Sequence, residues 1–125
     1  MIISPAYLAS ALDKIDDGVS QSDHPTSKVM AVLVLTNGVT ISSVNYFPTS
    51  IVEQFGQHAR IGNRSGSIHA EIAALCKCYN QHPYGTHKAS MVISDPPCAD
   101  CALAISLAGI ENVYIHPSGF KKHFA

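Results

Sequence analysis

The run from Val29 to Leu35 constrains this chain more than any other segment. Seven consecutive apolar residues, rich in β-branched side chains, leave a strand there with no polar face. Such a strand has to be covered on both sides. A bilayer span takes about 20 residues, so this run is a buried strand and no membrane partner is expected. Thr36-Asn37-Gly38 follows, and Asn-Gly is the signal of a two-residue hairpin turn. Val39 to Tyr46 is therefore expected to return as a second, antiparallel strand.

The covering layers are legible on either side. From Ser4 to about Asp17, Tyr7, Leu8, Ala11, Leu12 and Ile15 recur at helical spacing, behind a Ser4-Pro5 cap. Gly18 to Ser27 reads as a polar loop. Phe47 to Ser67 is a long connection rich in Pro, Gly, Ser and Arg, a kind of loop that usually carries function. The spacing predicts a helix over Ile68 to Tyr79, a loop from His82 to His87 and a strand over Ala89 to Ser94. Asp95-Pro96-Pro97 breaks that strand, and Cys98 to Ala108 is predicted as a helix ending at Gly109. Asn112 to His116 is a last short strand, and SGFKKHFA is one more helical turn or a tail. Strands alternating with helices imply parallel pairing in the later part. The expected fold is α/β, a three-layer α/β/α sandwich with a mixed sheet of about four strands. Residues 1–125 are expected to form a single domain.

Composition narrows the function classes. Hydrophobic residues make up 46% of the chain and charged ones 14%, the opposite of a disordered balance. The formal net charge is −1, and the densest basic spots are Arg60 with Arg64 and Lys121 with Lys122. No basic face for long nucleic acid is expected, which leaves a small-molecule substrate. The opening segment lacks a basic leader and soon meets Asp13, Asp16 and Asp17. It does not read as a signal peptide, so a cytoplasmic location is expected. In a reducing compartment the four cysteines point to metal or catalysis rather than disulfides. So little charge also suggests apolar surface covered by a second subunit, a homo-oligomer.

Two fragments carry the chemistry: His69-Ala70-Glu71 at the start of one predicted helix and Pro97-Cys98-Ala99-Asp100-Cys101 at the start of another. Cys98 and Cys101 are three apart, so on a helix they share a face. The helix N-terminus favours a thiolate at Cys98. His69 adds an imidazole from the other helix. Two thiolates and one imidazole suit Zn2+, and three protein ligands leave a fourth position open, as in catalytic rather than structural sites. Residues two apart inside a helix diverge by roughly 200°, so His69 and Glu71 converge only at the helix entry. Ser65 to Ser67 are expected to cap that entry. Glu71 beside a metal-activated water is a proton carrier. The bland alternative is a structural zinc with a fourth ligand from Cys76 or Cys78. Those two read instead as a core thiol and a surface thiol. His24, His58, His82, His87, His116 and His123 stand outside any motif and read as surface or capping residues.

The pair H-x-E and P-C-x-x-C resembles the signature of the zinc deaminases of nucleobases. The chain is similar to the cytidine and deoxycytidylate deaminase superfamily over nearly its whole length. Asn45-Tyr46-Phe47-Pro48, the long insert before His69, and the segments Cys101-Ala102, Ala108-Gly109-Ile110 and Val113-Tyr114 look like the deoxycytidylate group. Ala73 departs from the asparagine often found there, and HAEIAAL looks as much like an adenosine or guanine deaminase. The resemblance implies hydrolytic loss of ammonia from an amino-heterocycle, with a cytosine nucleotide or nucleoside first. A guanine or other purine or pterin-like substrate, or an inactive zinc-stabilised assembly module, is the alternative. It implies Glu71 as the catalytic proton carrier and His69, Cys98 and Cys101 as the metal ligands. Asn45, the backbone of Ala70 and the carbonyl of Pro96 would be substrate contacts. Arg60 and Arg64 read as a solvated loop pair, with a nucleotide phosphate as their functional alternative.

Overall fold

The computed structural model describes residues 3–58, 60–62 and 64–124, except the side chains of Arg64 and Phe124. Helix α1 (Pro5–Gly18) opens as its sequence dictates: Pro5 takes the first turn, and the Ser4 hydroxyl accepts from the Tyr7 amide at 3.3 Å. A short 3-10 turn (Val19–Gln21) and a loop lead to β1 (Met30–Val34), every residue of which is buried. Its two faces serve two cores. Met30, Val32 and Val34 join Ala11 and Ile15 of α1, while Ala31, Leu33 and Leu35 pack on the opposite side. Each fully buried Val or Leu here contributes about 1.5–3 kcal/mol of transfer free energy.

Strand β2 (Thr40–Val44) returns antiparallel, pairing Val34 with Thr40 and Met30 with Val44. The turn differs from the two-residue form. Leu35 donates to Val39 O at 2.9 Å across a three-residue loop, and Gly38 alone has positive φ, +87°. A type I′ turn would need positive φ at Asn37 as well; here Asn37 instead accepts from the Val39 amide at 3.1 Å. The long connection is not structureless. It contains α2 (Thr49–Phe55) and a minimal hairpin of β3 (Arg60–Ile61) with β4 (Arg64–Ser65). It departs and returns at one point, because Tyr46 and Ile68 exchange both backbone hydrogen bonds.

Helix α3 (Ala70–Gln81) buries Ala70, Ala74 and Cys78 against the sheet. Strand β5 (Ser90–Ile93) is wholly buried, α4 (Ala99–Leu107) crosses over, and β6 (Asn112–Ile115) pairs parallel to β5. The sheet order is β2-β1-β5-β6. Among the described residues parallel pairing is confined to β5 and β6; β1 against β5 is antiparallel, with Ala31 opposite Ile93. The fold is thus the expected mixed four-stranded sheet, with α1 on one face and α3 and α4 on the other. The C-terminal segment is a full helix, α5 (Pro117–Phe124). It sits so close to the end of β5 that a Cβ on Gly119 would lie 1.8 Å from Ser94 O. Among the described residues no helix is long and apolar enough to cross a membrane.

Because β1 runs against β2, β5 and β6, the start of β1 and the ends of the other three strands meet at one end of the sheet. The entries of α3 and α4 open there.

Candidate active site

His69 is the N-cap of α3, with extended backbone (ψ 143°), and Glu71 lies in the first turn. This is the helix-entry placement that lets residues two apart converge. The cap is not made by the serines: among the described residues α3 has no side-chain cap hydrogen bond, and Ser65 and Ser67 instead bond each other at 3.0 Å. Cys98 is the N-cap of α4, and its sulfur accepts from the Cys101 amide at 3.5 Å. The two helix entries therefore face each other across the end of the sheet.

His69 Nδ1 lies 3.2 Å from Cys101 Sγ and 3.7 Å from Cys98 Sγ, and all three ligand atoms fall within 4.8 Å of one another. A tetrahedral zinc with bonds of about 2.3 Å to sulfur and about 2.0–2.1 Å to nitrogen separates its ligand atoms by roughly 3.5–3.8 Å. The 3.7 Å separation of His69 from Cys98 falls in that range and the 3.2 Å separation from Cys101 lies just below it, and Nδ1 is the nitrogen turned to both sulfurs. Burial pushes the Cys101 thiol well above its ordinary range, and the Glu71 carboxylate and Cys98 push it further. Two sulfurs beside a buried carboxylate form a site that a divalent cation stabilises and that three anions alone do not. Cys78 is buried in the core, where burial raises its thiol, and Cys76 is exposed. Neither joins the cluster.

A cavity of about 230 Å³ opens beside it, walled by Asn45, Ala70, Glu71, Pro96, His69 and Cys98 among others. The structure thus gathers every residue the sequence singled out as catalytic, ligating or substrate-binding, with Cys101 buried just behind the wall. Glu71 is 4% exposed, so its carboxylate faces the cavity rather than bulk water. An open groove continues past Ser65, Ser67, His69 and Cys98 toward Asp100. Arg60 is exposed on β3 and is not part of either wall; the Arg64 side chain lies outside the described residues.

Asn45 lines the cavity and also holds the chain together around it. Its Oδ1 accepts from the Ser22 hydroxyl at 2.6 Å and the Val29 amide at 2.9 Å, and its Nδ2 donates to Ser27 O at 2.7 Å. It pins the loop before β1 against the end of β2. That loop supplies two cavity residues: Ser27, which sequence reasoning passed over, and His24, which it read as a surface or capping residue. No motif marks them; only the Asn45 anchor, itself readable, brings their loop to the site.

A likeness to solved structures accompanies this geometry. The dCMP deaminase from the cyanophage S-TIM5 superposes in its apo form with a TM-score of 0.72 at 24% identity, covering 90% of this chain and 84% of that one. The same enzyme with dCMP and dUMP bound gives 0.73 at 22% identity, covering 91% and 83%. The cytidine deaminase from Mycobacterium tuberculosis gives 0.61 at 17% identity, covering 88% and 85%. At these identities the likeness speaks for the fold. No curated protein sequence matches the chain. The family model described as "Cytidine and deoxycytidylate deaminase zinc-binding region" matches residues 6–117. With its motifs at the two helix entries and the match spanning nearly the whole chain, the protein belongs to the cytidine and deoxycytidylate deaminase family, hydrolases of the carbon–nitrogen bond of cyclic amidines.

Proposed function

We propose that this chain is a zinc-dependent deaminase of a cytosine nucleoside or nucleotide. One observation carries the reading: the buried Glu71 carboxylate lines one cavity together with His69 and Cys98, two members of the His69–Cys98–Cys101 cluster. His69 Nδ1, Cys98 Sγ and Cys101 Sγ would hold Zn2+, which when bound supplies the Lewis acidity that makes water nucleophilic near neutral pH. The rest is done by the chain. Glu71 takes a proton from water and delivers it to the ring nitrogen. It then carries the second proton to the amine, which leaves as ammonia while oxygen takes its place on the ring carbon. The remaining Nδ2–H of Asn45 and the backbone of Ala70 orient the ring, and the Pro96 carbonyl receives the amino group. Binding of dCMP and dUMP by the cyanophage neighbour supports a pyrimidine substrate.

The test is ammonia release at neutral pH from cytosine, adenine and guanine as bases, nucleosides and monophosphates, with Glu71→Ala in parallel. The expected result is turnover of a cytosine compound, about one zinc per chain in both proteins, and a loss of 10²-fold or more in Glu71→Ala, about the size of general acid–base catalysis. Turnover confined to guanine would move the substrate to the purine class. Zinc lost together with activity in Glu71→Ala would assign that carboxylate to the metal instead. No turnover at all would leave a zinc-stabilised assembly module.

A further inference from the structure

We propose that His24 is a substrate-positioning residue that donates one hydrogen bond, from Nε2–H, to an acceptor atom of the molecule bound in the Glu71 cavity. The inference rests on the deaminase reading. Three observations carry it. First, His24 lines the same cavity as Asn45, Glu71 and His69. Second, its tautomer is set by the backbone: Nδ1 accepts from the Thr26 amide at 3.2 Å and the Ser27 amide at 3.0 Å. A nitrogen accepting from two amides carries no proton, so the proton sits on Nε2. Among the described residues Nε2–H has no hydrogen-bond partner, although the residue is half-buried. Third, the ring is held in place. It stacks on Phe47 with centroids 5.7 Å apart and 24° between planes, and Phe47 is itself buried and packed against His58.

The supporting shell is tied on every side. The His24 amide donates to Ser22 Oγ, which donates in turn to Asn45, and the Phe47 amide donates to Asp23. Burial, and then the neighbouring His58, hold the His24 imidazole below its ordinary value. The ring is a neutral donor with a fixed orientation. Such a group discriminates: it favours a carbonyl, hydroxyl or ring-nitrogen acceptor at its edge, and rejects a ligand presenting a donor there, because two donors would then face each other.

Two variants separate this role from a structural one. His24→Asn keeps an acceptor where Nδ1 stands, so the turn through Thr26 and Ser27 is retained, but lacks the distal donor. His24→Gln places an amide nitrogen near the position of Nε2. With the best cytosine compound of the panel, His24→Asn is expected to raise KM about tenfold with kcat within about threefold and wild-type Tm. His24→Gln is expected to restore most of that KM. An unchanged KM in His24→Asn, with the wild-type chain active, overturns the role of His24 and leaves the deaminase reading standing. Equal KM rises in both variants with a lowered Tm overturn it too, assigning the ring to packing alone. A wild-type chain without turnover on the panel overturns the reaction, and this inference with it.

Discussion

Three of the four hydrogen-bonding positions of the Asn45 amide are spent inside the protein, on Ser22, Val29 and Ser27. One N–H is left for a ligand. A side chain with both roles should betray itself when cut back. Asn45→Ala would orphan the Val29 amide and the Ser27 carbonyl, each costing about 1–3 kcal/mol if left unpaired. Unfolding in urea should therefore begin at lower denaturant, with stability down by about 2 kcal/mol or more. The cavity wall carrying His24 should loosen with it. If Asn45 served only to touch substrate, the variant would unfold at the wild-type midpoint and lose affinity alone. Glu71 offers the contrast: buried beside Cys101 and lining the cavity, it is proposed to act on the substrate and to have no part in that scaffold.

At the scale of elements, what the sequence made legible follows its periodicities. The unbroken apolar run of β1 announced a strand covered on both faces, and its alternate residues do feed two separate cores. The cap of α1 and the start of α4 could be read because Ser-Pro and Pro-Cys are local signals. Register and pairing partners are not local. Nothing in β1 or β5 says that they run antiparallel, which is decided by how α3 carries the chain back across the sheet. Helix α2 was hidden because seven residues of mixed polarity hold too little periodicity to see. His24 was illegible for a related reason: a lone histidine means nothing until a loop elsewhere is pinned beside it. Helix α5 was half legible, since SGFKKHFA reads as either one more helical turn or a tail and the structure makes it a full helix. Its seat is specific, with His123 on Asp95 at 3.3 Å, His116 on Asp16 at 2.8 Å, and Gly119 against the Ser94 carbonyl. Gly119→Ala would force that contact apart and should cost about 1–3 kcal/mol, seen as a lower Tm. Because Ser94 and Asp95 lead directly to Pro96 and Cys98, turnover should fall as well. A wild-type Tm would show that α5 does not seat as described.

At the scale of the whole molecule, the outer face of α4 is the feature that a single chain leaves unexplained. Ile105 and Cys101 face the core, as one side of an amphipathic helix should. The other side ought to be polar, yet Leu103 is 70% and Leu107 91% exposed, with Ala102 and Ser106 beside them. Leu103 and Leu107 are one turn apart and share a face. A helix apolar all round is normally buried. Tyr79 on α3 and Tyr84 in the following loop are also exposed, at 69% and 92%. Only 14% of the chain is charged, whereas well-behaved surfaces alone run to about 25–35%. Homo-oligomerisation through the α4 face accounts for all of this, and we expect the working form to be at least a dimer. Light scattering at micromolar concentration should give a multiple of 13.3 kDa. Leu107→Lys should shift the mass toward a single chain, because an exposed ammonium in an apolar contact has to be desolvated or expelled. A wild-type protein that is fully active at the mass of one chain would refute the dimer. A Leu107→Lys variant of undiminished mass would place the contact on another face.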